Sequence, residues 1–355
     1  MTRPFFQRDF EAPAQIETFV VAAVSVILAT RLFLHLSGYP AVGGATIHLA
    51  HLLWGGLLML VGFVLVLSFL GRAASRLAAL LGGLGFGLFI DEVGKFVTRD
   101  NDYFYQPAVA LIYVTFVLVF LTRHAIHGRG GYRSDEYLLN ALRETEEYAR
   151  LDLDEVERRR ALEYLERADP VHPLTGALRD ALTRAAVVGP RAPGPVTRIR
   201  AAVRRLYGRL AALPGFDLAL IVFFVGQLVV KLAFGALLIF VLGVGPEHLL
   251  DVAYLGRVVE RLERLSGLEV AQLAASGLSA AFIVAGVVRL RRARLSAYSS
   301  FERAILVSIL LVQPFSFYAE QFAALVELAF NLSVLAALRA VIRLEEERAG
   351  PPGTP

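Results

Sequence analysis

The sequence predicts an all-α polytopic membrane protein of about eight transmembrane helices, and three observations carry that prediction. Hydrophobic residues make up 56% of the 355-residue chain, against roughly 45–50% in soluble domains, and the mean hydropathy is +0.57. Apolar runs recur along the chain, several of them longer than the roughly 20 residues that cross a ~30 Å hydrocarbon core. Arginines gather in every second segment between the runs, as the positive-inside rule requires of a chain with a fixed orientation.

In order, the runs are 16–36, 45–70, 77–90, 107–121, 218–243, 268–288, 304–319 and 322–342. The shorter ones reach spanning length with their flanks, and Pro314 interrupts the seventh. Arg3 and Arg8 precede the first span, and Arg72 and Arg76 separate the second from the third. Arg289, Arg291, Arg292 and Arg294 separate the sixth from the seventh, and Arg339 and Arg343 follow the eighth. Both termini are therefore expected in the cytoplasm. The first 13 residues are too mixed in character for a signal peptide, so the first span is expected to be retained.

The expected organisation is a first transmembrane half at 1–122, a cytoplasmic helical insert at 123–213, a second half at 214–344 and a disordered tail at 345–355. Within the insert, 134–149 and 154–168 read as charged helices, with Asp152 or Asp154 as an N-cap and Asp169-Pro170 as a stop. A shorter helix is expected over 173–187, and VGPRAPGP at 188–195 is a linker. IRAAVRRLYGRLAAL at 199–213 alternates arginine with apolar residues at helical spacing, which suits an interfacial helix.

The halves are expected to be related by a parallel repeat. At an offset of 200 residues Glu17 falls on Asp217 and Arg31 on Lys231, while AHLLWGGL lies over AQLAASGL and sets His51 on Gln272. Glu92 lies over Glu320 when the run from Arg303 is aligned with the run from Leu77. Four spans per half bring both halves in from the same side, with a pseudo-twofold along the membrane normal.

Charge placement supplies the candidate site. Counting 1.5 Å per residue from the inner edge puts Arg31, Lys231, Asp91, Glu92, Gln272 and Glu320 at depths of about 21–26 Å. These groups form a polar layer in the outer third of the membrane. Charged residues inside spans normally face protein or an aqueous cavity. Asp91 and Lys95 are spaced for an i, i+4 pair, Glu92 is placed to meet Arg31, and Lys231 with Glu320 is the equivalent pair. Lys95 and Lys231 are the only lysines among 36 basic residues, and lysine, unlike arginine, loses its charge readily when buried. Each group also has a plainer reading, as an ion pair locking helices or, for Lys95, as an anchor at a span end. His48 and His51 share a helix face and with Glu92 suggest a weak metal site. Gly83 and Gly87 predict close helix packing, and Gln313-Pro314 frees backbone groups that need partners. Glu327 and Asn331, spaced i, i+4, extend the polar positions inward.

Composition also excludes. There is no cysteine, hence no disulfide and no thiolate metal site. No phosphate-binding loop, dinucleotide fingerprint, nucleophile elbow or haem-ligand pattern occurs, so neither a catalytic residue nor a cofactor is expected. The net charge of +4 does not indicate nucleic acid. Residues 184–209 carry seven arginines and no acid, and this run leads into the fifth span, which points to anionic headgroups. A cytoplasmic protein partner or a second copy of the chain is compatible with the insert.

GFGLFIDEVGKF at 85–96, followed by DNDYFYQPAVALIY and preceded by HLAHLLWGG at 48–56, resembles a recurrent block in a family of uncharacterised multispanning bacterial inner-membrane proteins. The likeness covers roughly residues 35–120 and implies a bacterial inner-membrane location, without assigning an activity. The expected function is a secondary transporter or ion/proton-coupled permease working through Arg31, Asp91, Glu92, Lys95, Lys231, Gln272 and Glu320. The alternative is a scaffold or sensor that signals through the insert, and a metalloenzyme using His48, His51 and Glu92 is a minor third.

Overall fold

The computed structural model describes residues 6–37, 51–97, 105–128, 131–189, 195–244, 266–290 and 292–349. The described residues are helical, with no strand among them. Seven stretches are long and apolar enough to cross a membrane. Six are α1 (Ala12–Ser37), α2 (His51–Ser68), α3 (Arg72–Asp91), α5 (Gln106–His127), α10 (Phe216–Val244) and α11 (Gly267–Arg289). The seventh, Arg294–Glu347, is broken at Gln321, whose φ of 53° no helix accommodates. It consists of α12 (Arg294–Val307), a π turn at Ser308–Val312, α13 (Gln313–Glu320) and, after the break, α14 (Ala324–Ala349), which packs beside α12. α14 continues to Ala349, so 345–349 of the expected tail are helical, and 350–355 lie outside the described residues.

The chain divides into two compact units, residues 1–108 with 114–192, and 109–113 with 193–355. The insert helices α6 (Ser134–Ala149), α7 (Glu155–Arg167) and α8 (Pro173–Arg184) belong to the first unit, and α9 (Pro195–Ala211) to the second. The division falls in the proline-rich linker.

In the first unit α3 is the central helix and packs against both α1 and α2. Its sequence explains why. A Cβ on Gly83 would strike the Phe19 carbonyl of α1, and one on Gly87 would lie 2.5 Å from the Ala23 carbonyl. On the other face, a Cβ on Gly85 would lie 2.5 Å from the Gly55 carbonyl and 2.8 Å from the Met59 nitrogen of α2. Glycine on two faces lets both neighbours approach to backbone contact, the usual substitute for hydrophobic drive inside lipid.

The insert is clamped to this unit through charge. Arg72, the first residue of α3, is 3% exposed. It reaches Glu11 at 3.3 Å and Glu157 at 3.2 Å, and it also pairs with Glu144. The segment before α1 docks on α6: Arg8 bonds Glu136 through Nη2 at 2.6 Å, and Asn140 bonds the Arg8 carbonyl and the Phe10 nitrogen. The Phe10 ring sits among Tyr132, Tyr137 and Tyr164. Asp154 caps α7 by accepting from the Glu157 nitrogen, as its position at the helix start predicts.

The second unit has an aromatic core. Phe224 of α10 stacks on Phe301 of α12 at 4.7 Å, and Gly286 of α11 leaves room for the Phe301 ring. Tyr298, Ile283 and Leu338 complete it. Tyr207 and Ala211 of α9 pack against this core, while Ile199, Val203 and Leu206 stay exposed.

Two outcomes are expected. Gly83→Ala and Gly85→Ala should each cost about 1–3 kcal/mol through overpacking. Gly56→Ala, where a Cβ meets nothing within 4 Å, should be neutral, as thermal unfolding in detergent would report. The Arg8 guanidinium and backbone N–H bonds hold the Glu136 carboxyl down from 4.5 to about 2. A depressed carboxyl contributes its stabilisation above its unfolded value. Docking of residues 8–12 should therefore be constant above about pH 4.5 and be lost as pH falls toward 2, with hydrogen exchange at Phe10 as the readout.

Candidate functional site

The two faces of α3 converge on its last turn. The helix ends at Asp91, Glu92 departs from it with φ −88° and ψ 5°, and the short helix α4 (Val93–Val97) follows. Asp91 and Glu92 are each 1% exposed. Two adjacent carboxylates at that burial require compensation, and it arrives from three elements. Arg31 on α1 donates from Nε to Asp91 Oδ1 at 2.6 Å and from Nη2 to the Asp91 carbonyl at 3.3 Å. His51, the first residue of α2, places Nδ1 3.1 Å from Glu92 Oε1 and Nε2 3.7 Å from Asp91 Oδ2. Lys95 on α4 donates to Glu92 Oε1 at 3.1 Å.

Four of the expected site residues, Arg31, Asp91, Glu92 and Lys95, are thus in contact at one level. Their pairing is exchanged relative to the sequence expectation: Arg31 takes Asp91, and Lys95 takes Glu92 at i, i+3. Both i, i+3 and i, i+4 spacings bring side chains together, so spacing left the choice open, and Arg31 of α1 occupies Asp91. His51 was expected with His48 and Glu92 as a weak metal set, and it does lie beside Glu92. Its Nδ1 is within hydrogen-bond distance of Glu92, and its Nε2 is turned towards Asp91 at a longer distance. Among the described residues no cluster of three histidines or acids is arranged to hold a metal, and His48 lies outside them.

The second unit builds its polar site from hydroxyls and amides around one lysine, Lys231, and one acid, Glu327, which interact electrostatically. Lys231 of α10 donates to Ser279 Oγ of α11 at 3.0 Å. Ser279 in turn donates to the Ala304 carbonyl at 3.1 Å and lies 3.1 Å from Ser308 Oγ. The expected partner, Glu320, is out of reach. Its helix begins at Arg294, which pairs with Asp217 at 3.6 Å, rather than near Arg303. Glu320 therefore lies 12 residues beyond Ser308, about 18 Å along the axis, exposed at the end of α13. Gln272 is half-buried, seven residues before Ser279 and about 10 Å nearer the same end.

Pro314 acts as the sequence suggests, through a specific carbonyl. In the π turn the Gln313 N–H bonds the Ser308 carbonyl, five residues back. The next bond in that register, from residue 314 to the Ile309 carbonyl, has no donor because proline lacks the N–H. Tyr113 Oη supplies it at 2.5 Å, its ring stacked on Phe317. Gln313, fully buried, donates to the Ala324 carbonyl at 3.0 Å and to Glu327 at 3.3 Å, and accepts from Asn331 at 3.1 Å. Glu327 and Asn331 thus extend the polar positions as their i, i+4 spacing predicts. Ser279 and Ser308 had no distinguishing signal among the many small residues of these spans.

No family model matches the chain, and neither a curated protein nor a solved structure does.

Removing one partner of a buried ion pair leaves the other charge uncompensated, at a cost of about 3–5 kcal/mol. Arg31→Met should destabilise the protein by that order. Lys95→Met, whose side chain is 24% exposed, should cost distinctly less. Thermal unfolding of the two variants side by side checks the ranking.

Proposed function

We propose that the protein is a secondary transporter or ion/proton-coupled permease whose polar site lies near the outer face of a bacterial inner membrane. The carrying observation is that Asp91 and Glu92, each 1% exposed, are reached by bases from three separate elements. In this reading the chain crosses the membrane eight times as two repeated halves, with both termini in the cytoplasm. The arginine distribution and the break at Gln321 support that count. The acids carry a proton or small cation, and Arg31 and Lys95 are their counter-ions. His51, 3.1 Å from Glu92 and 3.7 Å from Asp91, stands between the two acids and relays the proton. Lys231 is the basic group of the other half, and Gln272 and Glu320 line the route to its outer end. The basic helix α9 holds anionic headgroups on the cytoplasmic side.

A second reading has its own support. The clamp of Arg72 on Glu11, Glu144 and Glu157 joins the insert rigidly to the first bundle. That is what a scaffold or sensor with a cytoplasmic protein partner needs.

Proteoliposome flux under an imposed proton or cation gradient separates the two. Glu92→Gln should lower flux by about a hundredfold or more, the scale of a positioned proton-transfer group, with Glu320→Gln lowering it less. Folded variants with unchanged flux, or no gradient-driven flux in the wild type, sink the transporter reading.

A further inference from the structure

The first unit holds a second polar feature, at the opposite end of its helices from Asp91. An open groove of about 500 Å³ is lined by Gln15, Ile16 and Phe19 of α1, Ala79 of α3, and Thr115, Leu118, Val119, Thr122 and Arg123 of α5. Its wall is mostly apolar along the helices, with Thr115 at the far end. Its other polar groups, Gln15, Thr122 and Arg123, are gathered at the end where α5 approaches the insert and α1 begins. Two nitrogens there, Gln15 Nε2 and Arg123 Nε, are buried and have no hydrogen-bond partner among the described residues. An unpaired buried donor ordinarily costs about 1–3 kcal/mol, and for a guanidinium the missing partner is most naturally an anion. The nearby charge network does not serve this purpose: Glu11 is bonded to Arg72, Arg76 and Arg160, and Asp9 to Arg143. Along the axis, Arg123 and Thr115 are eight residues apart, so the apolar part extends about 12 Å from the charged end.

We propose that this groove is a binding site for one anionic phospholipid of the leaflet at that end. Its headgroup phosphate accepts from Arg123 and Gln15, and an acyl chain lies along Ile16, Phe19, Ala79, Leu118 and Val119. The match is one of charge and polarity. The part-exposed Arg123 and Gln15 side chains stand at the end of an open groove whose remaining wall is mostly apolar, and an amphiphile satisfies both parts. The site is separate from the exposed arginines of α9, which belong to the other unit.

The test uses the full-length protein reconstituted in mixed phosphatidylglycerol–phosphatidylcholine nanodiscs, extracted in mild detergent, with retained lipid counted per chain by mass spectrometry. Wild type should retain phosphatidylglycerol in preference to phosphatidylcholine. Arg123→Gln should reduce that preference about fivefold, the scale of one cation at an anionic surface. Leu118→Trp, which fills the apolar part, should lower retention of both lipids. Arg159→Gln, on the exposed face of α7 and outside both the groove and α9, should leave the preference unchanged. Gln15→Leu reads the same site from α1, so the outcome does not rest on Arg123→Gln folding. The proposal is overturned if wild type shows no preference, if the preference survives in both Arg123→Gln and Gln15→Leu, or if Arg159→Gln removes it equally.

Discussion

The burial of Asp91 and Glu92 sets the terms for the whole first unit. Two adjacent carboxylates inside a bundle are tolerated only if cations are brought to them and water is not needed. Their partners, Arg31, His51 and Lys95, stand on α1, α2 and α4, so all of these must come close to the end of α3. The glycines on its two faces permit that approach, with Gly83 and Gly87 admitting α1 and Gly85 admitting α2. A larger residue at any of them would hold Arg31 or His51 away from the acids. The small-residue faces and the charged end are therefore one device, and the stretch GFGLFIDEVGKF encodes most of it.

The other end of α3 is held by the same chemistry in reverse, with one cation among three acids. Arg72 opens the helix and gathers Glu11, Glu144 and Glu157. A single helix thus has a compensated charge cluster at each end, one facing the insert and one at the candidate site. The second unit differs: its lysine bonds serine directly and meets its acid, Glu327, only through the longer-range field, within a network of hydroxyls, amides and a freed carbonyl. Direct ion pairs in the first unit and a hydrogen-bonded network in the second are what a transport reading has to accommodate in its two halves.

Much of this was legible in the sequence because lipid imposes simple rules. Apolar length located the helices, and the choice of Asp152 or Asp154 as N-cap bracketed the start of α7. The intramembrane charges named Arg31, Asp91, Glu92 and Lys95 without any alignment. Which acid meets which base was not legible, because Lys95 has one acid at i, i+3 and the other at i, i+4, and both spacings bring side chains together. The expected pairing of Lys231 with Glu320 was not met because Lys231 bonds Ser279 at the level of Ser308, twelve residues before Glu320. Arg72 read as a topology signal alone, since its three carboxylate partners are supplied by segments far apart in the chain.

The account holds that the buried pairs serve transport and are not merely helix locks, and a charge-free replacement tests this most directly. In the double variant Arg31→Met/Asp91→Leu no charge is left unpaired, and such apolar replacements of buried pairs are often neutral or stabilising. Thermal unfolding and gradient-driven flux would be measured on the same proteoliposome preparation. The account predicts a midpoint close to wild type together with loss of flux. A double variant that is stable and transports at the wild-type rate would contradict it, leaving the ion pair a structural feature only.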